Sequence, residues 1–243
     1  MIVPYAYTTS HQMLRMELRA SHGLIGLCVI SWIITAINPY DIEAWALEQI
    51  ASVLLIGTFW WSARHINYSL TTLCGLTSLF VLHSIGTHYT YSLTPYDPFL
   101  HATFGVSLNE LVGWDRNQYD RFVHFFFGVV SARVFFEYLV QRISMTNATA
   151  WFLSFHLVIS TSAIYELMEW AAAIVFASDA GILYLGSQGD IWDAQKDIYL
   201  GGMGFIVALA LFYLQQRFKS PDSSSGYVSV EEKKRAVMSD NPR

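Results

Sequence analysis

The fold class follows from a stretch that reads Gln188-Gly189-Asp190-Ile191-Trp192-Asp193-Ala194-Gln195-Lys196-Asp197, after which an apolar run extends to residue 214. If the residues from Trp192 onward are helical, Asp193 and Asp197 lie one turn apart on one face, with Asp190 beside them. Three neighbouring carboxylates repel one another unless a positive group meets them. The candidates are a metal ion, a proton, Lys196 and an arginine from elsewhere in the chain.

The composition of the whole chain indicates a membrane protein. Of its 243 residues, 53% are hydrophobic and 14% are charged, whereas roughly 25% are charged in an average soluble domain. The net charge of -5 argues against a nucleic-acid partner, which requires a clustered basic face. Cys28 and Cys74 both lie in apolar runs, so a disulfide framework is excluded.

Six apolar segments have about the length that crosses a bilayer. They span residues 22–38, 44–61, 69–87, 121–140, 151–177 and 195–214. We therefore predict an all-α fold, a polytopic membrane bundle of about six transmembrane helices that occupies residues 22–214. In the connection 88–120, Asp97 and Pro98 predict a helix cap and a first-turn proline, followed by Leu100, Phe104, Leu108 and Leu111 at helical spacing. This pattern predicts an amphipathic helix on the outer membrane surface.

The distribution of lysine and arginine predicts the orientation of the bundle. Ten of these residues flank one set of alternating connections: Arg15, Arg19, Arg64, Arg142, Arg217, Lys219, Lys233, Lys234, Arg235 and Arg243. The opposite connections hold only Arg116, Arg121 and Lys196. Because cytoplasmic connections are enriched in positive residues, both termini are predicted to be cytoplasmic. Residues 1–21 then form a cytoplasmic N-terminus, and 215–243, which are poor in apolar residues, form a disordered cytoplasmic tail.

Ionisable residues from four of these segments are predicted to meet in the outer third of the bundle. They are His83, His88, Asp120, His124, Glu166, Glu169, Asp190, Asp193 and Asp197. Asp120 and His124 form an i, i+4 pair in the outermost turn of the fourth span. Glu166 lies about 15 residues past Trp151, or roughly 22 Å into a core of roughly 30 Å. Ionisable groups at such depth are costly and mark functional sites.

The residue types in this set suit hard or borderline divalent metals such as Mg, Mn, Zn or Fe. We predict that Asp120, His124 and Glu166 are catalytic and that His88, Glu169, Asp190, Asp193 and Asp197 are metal ligands. Structural alternatives stay open: acids at a helix N-terminus are favoured by the helix dipole, and a histidine at a segment end is often interfacial. Arg133 and Glu137, at i, i+4 in the fourth span, predict a membrane-embedded salt bridge.

Three functions are compatible with this pattern. The favoured one is a metal-dependent hydrolase or phosphotransfer-type enzyme that acts on a lipid or lipid-linked substrate from the outer leaflet. The second is a cation- or proton-coupled carrier, although no span shows the glycine and proline breaks or paired repeats frequent in transporters. The third is a structural membrane protein in which the polar cluster only holds helices together.

Four ordered blocks of this chain resemble the YjdF-like bacterial inner-membrane family. They begin at His83 (His-Ser-Ile-Gly-Thr-His-Tyr-Thr-Tyr), at Arg116 (Arg-Asn-Gln-Tyr-Asp-Arg-Phe-Val-His-Phe), at Tyr165 (Tyr-Glu-Leu-Met-Glu-Trp) and at Gly186 (Gly-Ser-Gln-Gly-Asp-Ile-Trp-Asp-Ala-Gln-Lys-Asp). The resemblance covers about residues 23–213 and implies a polytopic location in the bacterial inner membrane, but no particular reaction. This chain has Gln118 where the family commonly shows a second histidine. The order of acidic and histidine residues is also similar to that of VanZ-type membrane proteins.

Overall fold

A computed structural model describes residues 11–176 and 186–218, which are helical apart from short connections. The helices are α1 (His11–Thr35), α2 (Ile42–His65), α3 (Leu70–His88), α4 (Tyr96–Phe104), α5 (Leu108–Val112), α6 (Tyr119–Arg142), α7 (Asn147–Phe176) and α8 (Asp193–Phe218). The predicted all-α class is therefore confirmed. Helix α8 continues to Phe218, past the predicted start of the C-terminal tail at residue 215. The rest of that tail, and the first ten residues of the predicted cytoplasmic N-terminus, lie outside the described residues.

Five helices, α2, α3, α6, α7 and α8, are long and apolar enough to cross a membrane. The apolar part of α1 within the searched residues, His22–Thr35, is shorter. A polytopic helical bundle is thus confirmed, while a sixth crossing by α1 stays a prediction.

Short polar side chains fix where the first spanning helices begin. Asp41 precedes α2, and its Oδ1 accepts hydrogen bonds from the N–H groups of Glu43 (3.0 Å) and Ala44 (2.8 Å). Ser69 precedes α3, and its Oγ accepts from the Thr72 N–H at 3.3 Å. These caps satisfy backbone donors that no preceding helical turn can serve.

The connection between α3 and α6 differs from the single capped helix predicted there. Helix α4 begins at Tyr96, one residue before the predicted cap, and it ends at Phe104, directly before Gly105, whose φ of 70° is left-handed. Ser107 then caps α5. Instead of capping α4, the Asp97 carboxylate accepts hydrogen bonds from Ser107 Oγ (2.8 Å) and the Asn109 N–H (3.0 Å). Because glycine adopts a left-handed φ easily, the chain turns at Gly105, and Asp97 ties the two short helices together.

The long helices form two groups that meet at α3 and α6. Aromatic side chains of α6, α7 and α8 share one core that contains Phe136, Trp151 and Phe212. Residues of α1, α2 and α3 share a second core that contains Cys28 and Phe80. Cys74 of α3, by contrast, is exposed. A third cluster of α3 and α6 side chains joins the two groups.

The backbones of α6 and α8 approach closely because glycines lie at their contact. A methyl group added at Gly128 would lie 1.9 Å from the Gly201 carbonyl oxygen, and one added at Gly204 would lie 2.0 Å from the Phe125 carbonyl oxygen. No other residue type fits at such separations, which are typical of small-residue contacts between membrane helices. This contact brings the first turns of α6 and α8 side by side.

The predicted salt bridge in α6 is confirmed. Arg133 Nη2 lies 3.2 Å from Glu137 Oε1. The Glu137 carboxylate also accepts hydrogen bonds from the N–H (2.9 Å) and hydroxyl (2.8 Å) of Ser69 and from the Thr72 hydroxyl (2.8 Å). This buried charge is therefore fully partnered, and its role is to hold the start of α3 against α6.

Candidate metal centre

Three buried side chains from α6 and α8 form the centre of the candidate site. Asp120 lies in the first turn of α6 and His124 one turn later, while Asp197 lies one turn into α8. One ligand atom from each residue lies within 4.8 Å of the others. The exposed fractions are 9% for Asp120, 7% for His124 and 1% for Asp197. We call these three residues the α6–α8 triad.

Glu166 of α7 lies beside this triad. Its Oε1 lies 3.3 Å from His124 Nε2, which in turn lies 3.6 Å from Asp120 Oδ1. Glu166 Oε1 and Asp197 Oδ1 are buried, and neither has a hydrogen-bond partner among the described atoms. A buried carboxylate oxygen that accepts no hydrogen bond is costly, so these two oxygens favour a nearby cation or a proton.

Glu169 adds a further carboxyl group one turn along α7. It is 6% exposed. Its electrostatic neighbours are Asp120, Glu166, Glu48 and Asp197, all of them acidic. Without Glu48, four carboxyl groups and the His124 imidazole thus lie close together. Among the described ion pairs, no lysine or arginine pairs directly with the carboxylates of Glu166, Glu169 or Asp197.

The other two carboxylates of the C-terminal motif belong to a separate group of ion pairs. Asp193 Oδ1 lies 2.5 Å from Arg116 Nη1 and 3.3 Å from Arg121 Nη2. Asp190 Oδ2 contacts Arg121 Nη2 and lies 2.5 Å from Lys196 Nζ. We call these five residues the arginine hub. In it, three cations meet two carboxylates.

The turn before α8 places the hub by pairing with the segment before α6. The Asn117 N–H donates to Gln188 Oε1 (3.0 Å), and Gln188 Nε2 donates back to the Asn117 carbonyl (3.1 Å). Gly189 has a φ of 83°, which reverses the chain so that Asp190 Oδ1 accepts from the Trp192 N–H at 3.0 Å. The charged hydrogen bond from Lys196, followed by that from the Trp192 N–H, holds the pKa of Asp190 well below its usual range.

The structure brings five of the eight predicted site residues together and places the other three elsewhere. Asp120, His124, Glu166, Glu169 and Asp197 share one volume, as described above. Asp190 and Asp193 have arginine and lysine partners, so their charge is balanced without a metal. His88 lies apart, where its Nδ1 donates to the Thr35 carbonyl at 2.9 Å. The ligand roles of these last three residues stay predictions.

Sequence reasoning gave Glu48 no role at this site. Glu48 is 3% exposed within α2, and the Tyr165 hydroxyl donates to its Oε2 at 3.0 Å. Close by, the predicted cluster member His83 bonds Ser52 Oγ at 2.9 Å and the Tyr91 hydroxyl, so both of its ring nitrogens have partners. A glutamate in an otherwise apolar span was the signal available for Glu48, but nothing in the sequence showed which helix it faces.

The α6–α8 triad fits a small divalent cation by its donor types and spacing. Two carboxylates and an imidazole suit Mg, Mn, Zn or Fe. Bonds to zinc or magnesium are about 2.0–2.2 Å long, so opposite ligands of one ion lie up to about 4.2 Å apart. The observed limit of 4.8 Å exceeds this spacing slightly, and a small side-chain adjustment would close it. Glu166, with a free oxygen beside His124, is close enough to be a fourth ligand or a base.

Comparison with known proteins places the chain in a family. The model of the family described as "Predicted membrane protein (DUF2238)" matches residues 20–218. The chain belongs to this family. It is also 34% identical over 192 residues to the inner membrane protein YjdF of Escherichia coli strain K12, which covers 76% of this chain and 86% of that protein. No solved structure matches. These findings confirm the resemblance to the YjdF-like family, and the family match contains the triad, Glu166 and the arginine hub.

Proposed function

We propose that this membrane protein is a metal-dependent hydrolase or phosphotransfer-type enzyme that acts on a lipid or lipid-linked substrate. The observation that carries the proposal is the α6–α8 triad, whose three ligand atoms lie within 4.8 Å at a site with unpartnered buried carboxylate oxygens. In this proposal Asp120, His124 and Asp197 hold a divalent ion. The membrane setting, with the site at one end of the spanning helices, favours a substrate that reaches it from the bilayer.

The residues around the triad have complementary chemical roles. A bound divalent ion supplies electrostatic stabilisation for negative charge that develops on a phosphoryl or acyl oxygen. Glu166 accepts a proton from the attacking water, because its Oε1 lies beside His124 of the triad and accepts no hydrogen bond from an arginine. Glu169 beside it stores or passes on that proton. Burial excludes bulk water, which strengthens each of these interactions.

The first test is elemental analysis of the detergent-purified protein with its Asp197→Asn variant. We expect near-stoichiometric Mg, Mn, Zn or Fe in the wild type and at least a tenfold loss in Asp197→Asn, because asparagine offers a neutral and weaker ligand. Asp41→Asn is the matched control: it makes the same chemical change at the cap of α2, where asparagine is an equally good cap. Metal content that is equal in all three proteins would contradict the proposal.

A second arm of the same test separates binding from catalysis. Glu166→Gln is expected to keep most of the metal but to lose turnover of a long-chain phosphate ester in liposomes by about two or more orders of magnitude, as is typical when a general base is removed. If Glu166→Gln instead lost the metal, Glu166 would be a ligand rather than the base.

A cation- or proton-coupled carrier is the second candidate, supported by the line of buried acids that leads from Asp197 and Glu169 to Glu48. Protonatable groups at several depths are typical of ion pathways. Flux of protons or of a divalent cation into proteoliposomes, lost in Glu48→Gln, would favour this function over the enzyme. A purely structural cluster would show neither metal, turnover nor flux, and its substitution would abolish insertion.

We also propose that the protein lies in a bacterial inner membrane with both termini cytoplasmic and the triad near the outer face. The lysine and arginine distribution supports this orientation. The similarity to the inner membrane protein YjdF of Escherichia coli supports the location.

A further inference from the structure

A cavity of about 480 Å³ lies beside the arginine hub, between the α4–α5 segment and the spanning helices α6 and α8. Apolar side chains form most of its wall, with Leu108 and Trp114 on one side and Phe122, Phe125 and Leu200 on the other. Ligand pockets in proteins typically have volumes of about 300–1,000 Å³ and are mostly apolar, with few polar groups. By size and lining, this cavity is suited to an organic ligand with an apolar chain.

The charged group in the wall of the cavity is Arg121. Its Nη1 donates to Gln118 Oε1 at 3.2 Å and its Nη2 pairs with Asp190, but its Nε has no hydrogen-bond partner. Arg116 Nη2 is buried and unpartnered in the same way. Buried guanidinium donors are normally satisfied, so both arginines have capacity for a further acceptor.

The charge of the hub also favours an anion. Arg116, Arg121 and Lys196 carry three positive charges against two negative charges on Asp190 and Asp193, which leaves one positive charge. Guanidinium groups bind phosphate oxygens with strong, directed hydrogen bonds. The triad lies close to this charge, because Asp120 precedes Arg121 in the first turn of α6 and has both arginines as electrostatic neighbours.

We propose that this cavity binds the apolar chain of a lipid phosphate, whose phosphate group bonds Arg121 at the edge of the triad. The inference rests on the proposed function for its chemistry, since it names the substrate class that would be presented to the metal. A chain in the cavity and a phosphate on the hub place the phosphate ester next to Asp120. The binding itself requires no metal.

The test is binding of radiolabelled dodecyl phosphate to the metal-free, detergent-purified protein in the presence of EDTA, at a fixed mole fraction in the micelle. We expect saturable binding that unlabelled dodecyl phosphate displaces and that dodecanol and inorganic phosphate displace at least tenfold less well. Arg121→Gln is expected to weaken binding about tenfold, since it removes a charged hydrogen bond.

Because Arg121→Gln also perturbs the hub, a second variant tests the cavity alone. Leu200→Trp fills the cavity with a larger side chain and is expected to weaken binding at least tenfold. Ile206→Trp is the matched control, since Ile206 lies on the same helix and is 51% exposed outside the cavity. Thermal melting confirms that each variant is folded.

Each outcome decides the inference. Equal binding by Leu200→Trp and wild type, or equal displacement by dodecanol, would overturn it, and equal displacement by inorganic phosphate would show an anion site without a chain pocket. If dodecyl phosphate binds as expected but elemental analysis finds no metal, the lipid site stands and the enzymatic proposal falls. If the metal is present and dodecyl phosphate does not bind, the metal site stands and the lipid-phosphate inference falls.

Discussion

Three carboxylates that neighbour one another in the sequence have different electrostatic surroundings in the structure. Asp190 and Asp193 lie at the start of α8, within reach of Arg116, Arg121 and Lys196. Asp197 lies one turn further along and is 1% exposed, with an unpartnered oxygen. Asp190 and Asp193 are therefore balanced by cationic side chains, whereas Asp197, one helical turn further along, requires a bound cation or a proton.

At this scale, Asp190 makes the stability of the protein depend on pH. Its pKa in the folded protein is held well below the usual carboxyl value by Lys196 first and then by the Trp192 N–H. A group whose pKa is lowered by folding stabilises the protein above its ordinary pKa, and this stabilisation is lost as the pH falls. We expect Asp190→Asn to melt at a lower temperature than wild type at pH 7, with the difference shrinking as the pH falls below about 4.

The comparison uses thermal melting of both proteins in the same detergent at pH 7, 5, 4 and 3. Other carboxyl groups titrate in both proteins, so the quantity of interest is the difference between the two melting temperatures. A difference that stays constant from pH 7 to pH 3 would show that Asp190 does not titrate as the hub geometry predicts.

The pairing of α6 with α8 sets the geometry of the site at the level of elements. These two helices supply all three residues of the triad, and their backbones approach where Gly128, Gly201 and Gly204 lie at the contact. In a bilayer, where hydrocarbon surrounds the helices, close backbone packing of this kind stabilises a helix pair. The spacing of the triad thus depends on residues that lie one to two turns away from it.

We expect Gly204→Ala to separate α6 from α8, because the added methyl would lie 2.0 Å from the Phe125 carbonyl oxygen. Overpacking of this kind typically costs about 1–3 kcal/mol, which corresponds to a melting temperature lower by about 2–12 °C for a chain of this size. Metal content should fall with it. Thermal melting and elemental analysis of the variant measure both effects.

Gly57→Ala is the matched control in α2, since a methyl group there would have no atom within 4 Å. Alanine favours a helix over glycine, so this variant should melt at or above the wild-type temperature. If Gly204→Ala behaved like Gly57→Ala, close packing of α6 on α8 would not be what positions the triad.

At the scale of the whole molecule, the side of the membrane that the site faces decides from which leaflet a substrate enters. The described triad and hub lie at the end of the bundle where α6 and α8 begin. The connection that holds α4 and α5 lies at this end too, and its side chains form one wall of the cavity proposed to bind a lipid phosphate. If both termini are cytoplasmic, substrate enters from the outer leaflet.

Reporter fusions test this orientation. Alkaline phosphatase fused after Gly113 should be active, because that connection is predicted to be outside, whereas a fusion after Ser144 should be inactive. A fluorescent protein fused at the same two points should give the opposite pattern, since it fluoresces when folded in the cytoplasm. Activity of the Ser144 phosphatase fusion alone would reverse the orientation and would place the triad near the cytoplasm.

By itself, the sequence determined the helical class, five of the spanning segments and the end of the bundle where the acidic residues gather. Apolar runs of bilayer length leave little choice of structure, because backbone polar groups must be satisfied within each helix. Helical spacing likewise determined the pairs Asp120–His124 and Arg133–Glu137, since residues four apart share a face.

Only the tertiary structure decided which carboxylates share a site. The sequence left open whether a metal, a proton, Lys196 or an arginine meets Asp190, Asp193 and Asp197, because partners that are distant in sequence cannot be assigned by spacing. Arg121 lies 69 residues from Asp190, and Tyr165 lies 117 residues from Glu48. Glycine contacts that bring α6 against α8 and the Asn117–Gln188 pairing fix the partners of the three aspartates. The division between hub and triad is therefore a product of helix packing.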